Sequence, residues 1–157
     1  MHMYDVLGIT YDENAQKGLW LTPQFIAEYG KRAVCVRRSN IELRKKVARQ
    51  AMANDFLDSE NLADFVGTAA SYSAYALLPP SQRQKTLLGL NITAERLFFI
   101  NHCVKYCNRY SDTDTERHSP FHVRCEVPLM HMPEFSAAFQ CAPGSHMNPK
   151  TKCAFWS

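Results

Sequence analysis

Two carboxylates stand one helical turn apart in Ser59-Glu60-Asn61-Leu62-Ala63-Asp64. The helical spacing around them runs on through Val66, Ala69, Ala70 and Tyr75 until Leu77-Leu78-Pro79-Pro80 stops it. Residues four apart share one face of a helix, so Glu60 and Asp64 project together. Proline has no amide hydrogen and clashes with the preceding turn, which places the end of this helix at the double proline. Ser59 is the expected N-cap, its hydroxyl taking up a free amide of the first turn. On its own, such an acid pair is a solvated helix face.

The rest of the chain is punctuated in the same manner. Thr22-Pro23 is a helix start, with Phe25, Ile26, Tyr29, Ala33 and Val36 following at helical spacing. A basic stretch runs from about Ile41 to Met52, and Asn54-Asp55 is a break. Thr93 caps a helix from Ala94 to about Asn108 whose apolar stripe is Leu97, Phe98, Ile100 and Val104. Residues 111–117 are polar and form a loop, and Phe121 to Val127 is expected to be extended. Pro133-Glu134-Phe135 opens a short helix ending near Cys141, and Ala142-Pro143-Gly144-Ser145 is a turn. Trp20 and the Phe98-Phe99 pair belong in the core, while His102, His122, His131 and His146 are surface or packing residues. The expected fold is mainly α with little sheet, a single unit over residues 1–157.

A net charge of +3 gives no argument for nucleic acid, and the basic run around Arg37, Arg38, Arg44, Lys45, Lys46 and Arg49 is broken by Glu42, Val47 and Ala48. No apolar stretch approaches the ~18 residues of a membrane span. The opening Met1-His2-Met3-Tyr4-Asp5 has neither a basic start nor an apolar block, so it is not a signal peptide. Six cysteines and the sequon Asn91-Ile92-Thr93 nevertheless point to an oxidising, extracellular setting, with Asn91 the candidate glycan acceptor. None of the cysteine spacings is a zinc-ribbon pair, and the six allow many connectivities. The expectation that reconciles these observations is that the sequence is the C-terminal part of a longer secreted or membrane-anchored protein.

Three segments together carry a family resemblance: His2-Met3-Tyr4-Asp5, Ser59-Glu60-Asn61-Leu62-Ala63-Asp64, and His118-Ser119-Pro120 followed by Arg124. The set resembles the zinc-site parts of the neprilysin and endothelin-converting-enzyme family of metallopeptidases, whose catalytic domains are zincin-like (thermolysin-like). In that family a motif close to G-E-N-I-A-D supplies the third zinc ligand, which implies Glu60 as ligand and Asp64 as an outer carboxylate holding a ligand histidine. His2-Met3-Tyr4-Asp5 is similar to the closing H-G-F-D of the family's extended H-E-x-x-H motif. That makes His2 the second zinc histidine and Asp5 its carboxylate partner. The first histidine and the glutamate base are then expected upstream of Met1. His118 corresponds to a donor to the developing oxyanion and Arg124 to its support, although Phe121 stands where the family has glycine. Trp20-Leu21-Thr22, Tyr106-Cys107-Asn108-Arg109-Tyr110, Met147-Asn148-Pro149 and Cys153-x-x-Trp156 are further points of likeness.

By that resemblance Cys35 pairs with Cys153. Cys107 and Cys141 pair in the family with cysteines near the start of the ectodomain, and these partners are not in the sequence. Cys103 and Cys125 are extra to the pattern and are candidates to bond to each other. The function implied is a zinc-dependent metalloendopeptidase acting on peptides at the cell surface or outside the cell. This chain would be the C-terminal portion of its catalytic domain, inactive without the remaining N-terminal portion of the same protein. The alternative is a non-enzymatic secreted module, disulfide-stabilised, serving as a binding domain or decoy.

Overall fold

The computed structural model describes residues 8–18, 20–45, 55–107 and 118–155. His2 and Asp5 lie outside them, as do Asn54, the 111–117 loop and the basic stretch beyond Lys45. Six helices carry the described fold: α1 (Pro23–Lys45), α2 (Asp55–Ala76), α3 (Pro80–Arg83), α4 (Ala94–Val104), α5 (Phe121–Met130) and α6 (Pro133–Ala138). The one sheet among the described residues is a hairpin, β1 (Thr86–Leu87) paired antiparallel with β2 (Ile92–Thr93), in register Thr86 to Thr93. The expectation of a mainly α chain holds.

The capping residues act where the sequence put two of them. Thr22 Oγ1 accepts from the Phe25 amide at 3.2 Å, and Thr93 Oγ1 from the Arg96 amide at 3.2 Å. Ser59 does not cap. It lies inside α2, which begins at Asp55, and it is 3% exposed. The tertiary partner decides this: Asp58 pairs with Arg37 of α1, which holds the turn before Ser59 in helical form against its neighbour. At the other end Leu77 and Leu78 close α2 with amide bonds to the carbonyls of Ala74 and Tyr75, and Pro80 starts α3. Short α6 ends in a left-handed Gln140 (φ +55°) with the Cys141 amide reaching back to Ser136 O, a Schellman closure.

Three expectations fail for identifiable reasons. Phe121 to Val127 is helical, not extended. Its alternation of apolar and polar residues mimics a strand, but Val123 and Val127 are four apart, both within 1% of full burial, and pack together against Leu43. The α4 stripe is rotated. Leu97, Ile100 and Val104 are 39%, 36% and 53% exposed, while Phe99 and His102 are buried. Phe99 is drawn into an aromatic cluster with Tyr72, Phe98, Phe135 and Phe139, and this turns the helix. Trp20 is half exposed, not core, its indole N–H donating to Ile9 O at 3.1 Å.

The central layer is α1, α2 and α5, with one core cluster formed by Tyr29, Val36, Leu62, Phe65, Cys153 and Phe155. Two of those six come from the segment after α6. Cys153 is disulfide-bonded to Cys35 on α1, with Cα atoms 5.7 Å apart. Beside the bond, the Cys153 amide donates to His131 Nδ1 at 3.0 Å. That nitrogen therefore carries no proton, and Nε2–H donates to Ser39 Oγ at 2.8 Å. The second disulfide joins Cys103 to Cys125, while Cys107 and Cys141 are free thiols.

Burial, with Lys152 nearby, pushes the His131 pKa down to about 4 from an ordinary 6.5. Between these values the unfolded chain takes up a proton that the folded chain does not. The contribution of His131 is thus fully present above about pH 6.5 and is lost as pH falls towards about 4, a total of about 3 kcal/mol. Urea unfolding at pH values across this window should show that decline, and His131→Gln should flatten it. Replacing Cys35 and Cys153 together by alanine should lower the unfolding free energy by about 2–5 kcal/mol, read from the same transitions.

Candidate active site

Because Leu62 and Phe65 turn one side of α2 into the core, Glu60 and Asp64 fall together on a neighbouring side that faces the start of α5. Their side chains keep 20% and 16% of their exposure. Glu60 Oε2 lies 3.4 Å from His118 Nε2. One turn further along, Asp64 receives a fork from Arg124, Nε to Oδ2 at 2.6 Å and Nη2 to Oδ1 at 3.0 Å. Two residues lying 58 and 60 positions from their partners thus meet successive turns of a single helix. Forked guanidinium–carboxylate pairs fix orientation as well as distance, and this one is more than four-fifths buried on both sides.

The connection between the two contacts is itself pinned. Ser119 Oγ donates to Asn61 Oδ1 at 2.7 Å, and both residues are buried. Pro120 follows at the N-cap of α5 with φ −49°, and its carbonyl accepts the Arg124 amide at 3.1 Å. His118 is therefore held from its C-terminal side, by its neighbour's hydrogen bond and by the proline-fixed helix start that follows it. Hydrogen bonding to Asp64 raises the Arg124 pKa further above its ordinary value, so the guanidinium keeps its charge at any physiological pH.

Two residues to which the sequence analysis gave no site role complete the arrangement. Tyr106 donates its hydroxyl to Asp64 Oδ1 at 3.2 Å, and its ring lies 5.1 Å from the Arg124 guanidinium carbon. Burial, aided by the Asp64 charge, pushes its phenol up to about 12. His102 lies at 3.3 Å from Arg124 O through Nε2. A carbonyl only accepts, so Nε2 carries the proton. Nδ1 lies 3.4 Å from Thr68 Oγ1, whose hydroxyl donates to Asp64 O at 2.7 Å. Burial lowers the His102 pKa, and the ring stays neutral. His102 and Tyr106 are four apart, so a shared polar face at the end of α4 was the available signal. A cleft of about 330 Å³ opens beside Asp64 between α2 and α4, lined also by Thr68, Asn101, His102 and Lys105.

Of the residues named from sequence, the structure brings together Glu60, Asp64, His118 and Arg124. Cys35 is bonded to Cys153 and Cys103 to Cys125. Asn91 is exposed at the hairpin turn with φ +50°. A carboxylate oxygen is a suitable zinc donor. Among the described residues, no group of three or more His, Cys, Asp or Glu is gathered to hold a metal.

Comparison with known proteins gives the same direction over the whole length. Neprilysin-2 of Caenorhabditis elegans is 29% identical, the match covering 99% of this chain and 22% of the relative. The endothelin-converting enzyme homolog of Locusta migratoria is 32% identical over 99% of this chain and 22% of its own length. Human neprilysin is 28% identical over 99% and 22%. The chain spans about a fifth of the length of the curated relatives it matches. The sequence model for Peptidase family M13 matches residues 1–155, and with that span the chain belongs to this peptidase family.

Proposed function

We propose that this chain contributes one wall of a zinc endopeptidase site that cleaves peptides. Glu60 and His2 would be metal ligands, Asp64 and Asp5 their outer carboxylates, His118 an oxyanion donor and Arg124 its support. The observation that carries this reading is the pairing of Glu60 with His118 and of Asp64 with Arg124 on adjacent turns of α2. When bound, zinc supplies Lewis acidity, polarising a carbonyl and lowering the pKa of its water. Asp64 has roughly four acceptor directions, and three are taken by Arg124 and Tyr106, which leaves one for the far nitrogen of a ligand imidazole. His118, beside Glu60 on a pinned loop, can donate through Nε2–H to negative charge that develops on a substrate oxygen. Arg124, fixed by Asp64, adds a permanent positive charge beside that oxygen.

Several further features support an extracellular or cell-surface site. Two disulfides belong to an oxidising compartment, and the exposed Asn91 is accessible to a glycan. Partners under this reading are peptide substrates and the remaining portion of the catalytic domain.

Zinc titration of the 157-residue chain, followed by the side-chain carboxyl resonances, tests the ligand assignment. Glu60→Gln should abolish the zinc-dependent shift, Asp64→Asn should weaken binding about 10- to 100-fold, and His118→Gln should leave it within about twofold. Undiminished binding in Glu60→Gln would sink the reading. No His-Glu pair occurs in the sequence, so the chain with zinc should give no chelator-sensitive turnover of a fluorogenic peptide. Within a longer polypeptide that supplies H-E-x-x-H, His118→Gln should lower kcat about 100- to 1,000-fold with little change in KM.

A further inference from the structure

The Cys103–Cys125 disulfide lies in the middle of the contacts that fix Arg124. Cys125 is the next residue after Arg124, and Cys103 lies between His102 and Tyr106 at the end of α4. The bond brings the two Cα atoms to 4.9 Å. On one side of it His102 Nε2–H donates to Arg124 O, and on the other the Tyr106 ring lies against the Arg124 guanidinium. The two aromatic residues also touch edge to face, with ring centroids 5.6 Å apart. Every described contact that α4 makes to the Asp64–Arg124 pair therefore comes from within three residues of Cys103.

This end of α4 is held on one face only. His102 is buried and Cys103 packs in part against the Phe99, Leu129 and Met132 cluster, while Asn101, Val104 and Lys105 are exposed. Hydrogen bonds at such a helix end open at less free-energy cost than those in the core, because fewer buried contacts break with them. A covalent link between the two helices removes that freedom where the polar contacts alone would not. The two disulfides also differ in access. The Cys35–Cys153 bond has one buried member, Cys153 at 6% exposure, beside a partly exposed Cys35, whereas Cys103 and Cys125 are both partly exposed.

We propose that the Cys103–Cys125 disulfide is a positioning clamp that keeps α4 against α5, so that Arg124 holds its fork to Asp64, and that it is reducible ahead of Cys35–Cys153. The catalytic meaning of the clamp rests on the reading of Arg124 given above; the clamp itself does not. Reduction consumes one dithiol. Its thiolate attacks one sulfur, its second thiol releases the mixed disulfide, and two cysteine thiols and one cyclic disulfide result. The released α4 end then loses the His102 and Tyr106 contacts, and Arg124 exchanges between Asp64 and water.

The test uses the 157-residue chain labelled with 15N and follows arginine Nε–H exchange by NMR. Arg124→Lys assigns the Arg124 signal. Arg96, whose Nε donates to Ala138 O at 2.7 Å at the far end of α4, is the internal reference. In a Cys103→Ala, Cys125→Ala chain the Arg124 Nε–H should exchange at least about fivefold faster than in the parent, with Arg96 unchanged. An Arg124 rate that rises less than that, or a rise shared equally by Arg96, overturns the clamp. If the double variant does not fold, the parent is titrated with dithiothreitol and the bonds are followed by mass spectrometry. Loss of Cys103–Cys125 with Cys35–Cys153 intact should give the same selective rise, and loss of Cys35–Cys153 first overturns the proposal. None of these readouts needs peptidase activity, so failure of the clamp and failure of the catalytic reading are separable.

Discussion

The rotational setting of α2 governs everything else in this chain. Leu62 and Phe65 bury one side of it against α1 and the segment after α6, and Asp58 locks its first turns to Arg37. With that rotation fixed, Glu60 and Asp64 have one direction left to point. A rotation by a single residue, about 100° in a helix of 3.6 residues per turn, would turn both acids away from α5 and leave the largely buried Arg124 without its carboxylate. A charge stranded in that way costs several kcal/mol, so core packing and site geometry enforce each other.

The second determinant is how α5 is started. His118 and Arg124 are useful to α2 only because Ser119 and Pro120 fix the intervening turn, one through a buried hydrogen bond to Asn61 and the other through its ring. The site is thus built from two short motifs whose members alternate in role, one residue meeting its counterpart across the gap between α2 and α5 and the next tying the two segments together. Asn61 follows Glu60 and Ser119 follows His118, and the two followers bond to each other just as the leaders meet.

Much of this was legible in the residues, and the exceptions share a cause. Caps at Thr22 and Thr93, the stop at Pro79-Pro80 and the one-turn spacing of Glu60 and Asp64 are local properties, and local chemistry fixed them. Ser59 has good capping chemistry but lost to the Arg37–Asp58 pair, a contact between helices that no window around residue 59 contains. The strand-like alternation from Phe121 to Val127 concealed the four-residue spacing of Val123 and Val127, which only becomes decisive once Leu43 is there to receive them. Leu97, Ile100 and Val104 make a plausible stripe, yet the aromatic cluster around Phe99 outweighs it, and His102 goes inward because its Nε2–H finds the Arg124 carbonyl. At the site, the acid pair and the His-Ser-Pro segment were readable from sequence. Tyr106 and His102 were not, because their roles arise from the meeting of α4 with α2 and α5.

Cys153 and Phe155 complete a cluster whose other members lie between residues 29 and 65, and the covalent tie from Cys35 spans 118 residues. During synthesis Tyr29, Val36, Leu62 and Phe65 emerge from the ribosome long before the residues that cover them. At about 5–20 residues per second, that leaves them uncovered for several seconds. Until Cys153 arrives, a bond from Cys35 to any nearer cysteine would close the chain in the wrong register and leave that apolar face without Cys153 and Phe155 to cover it.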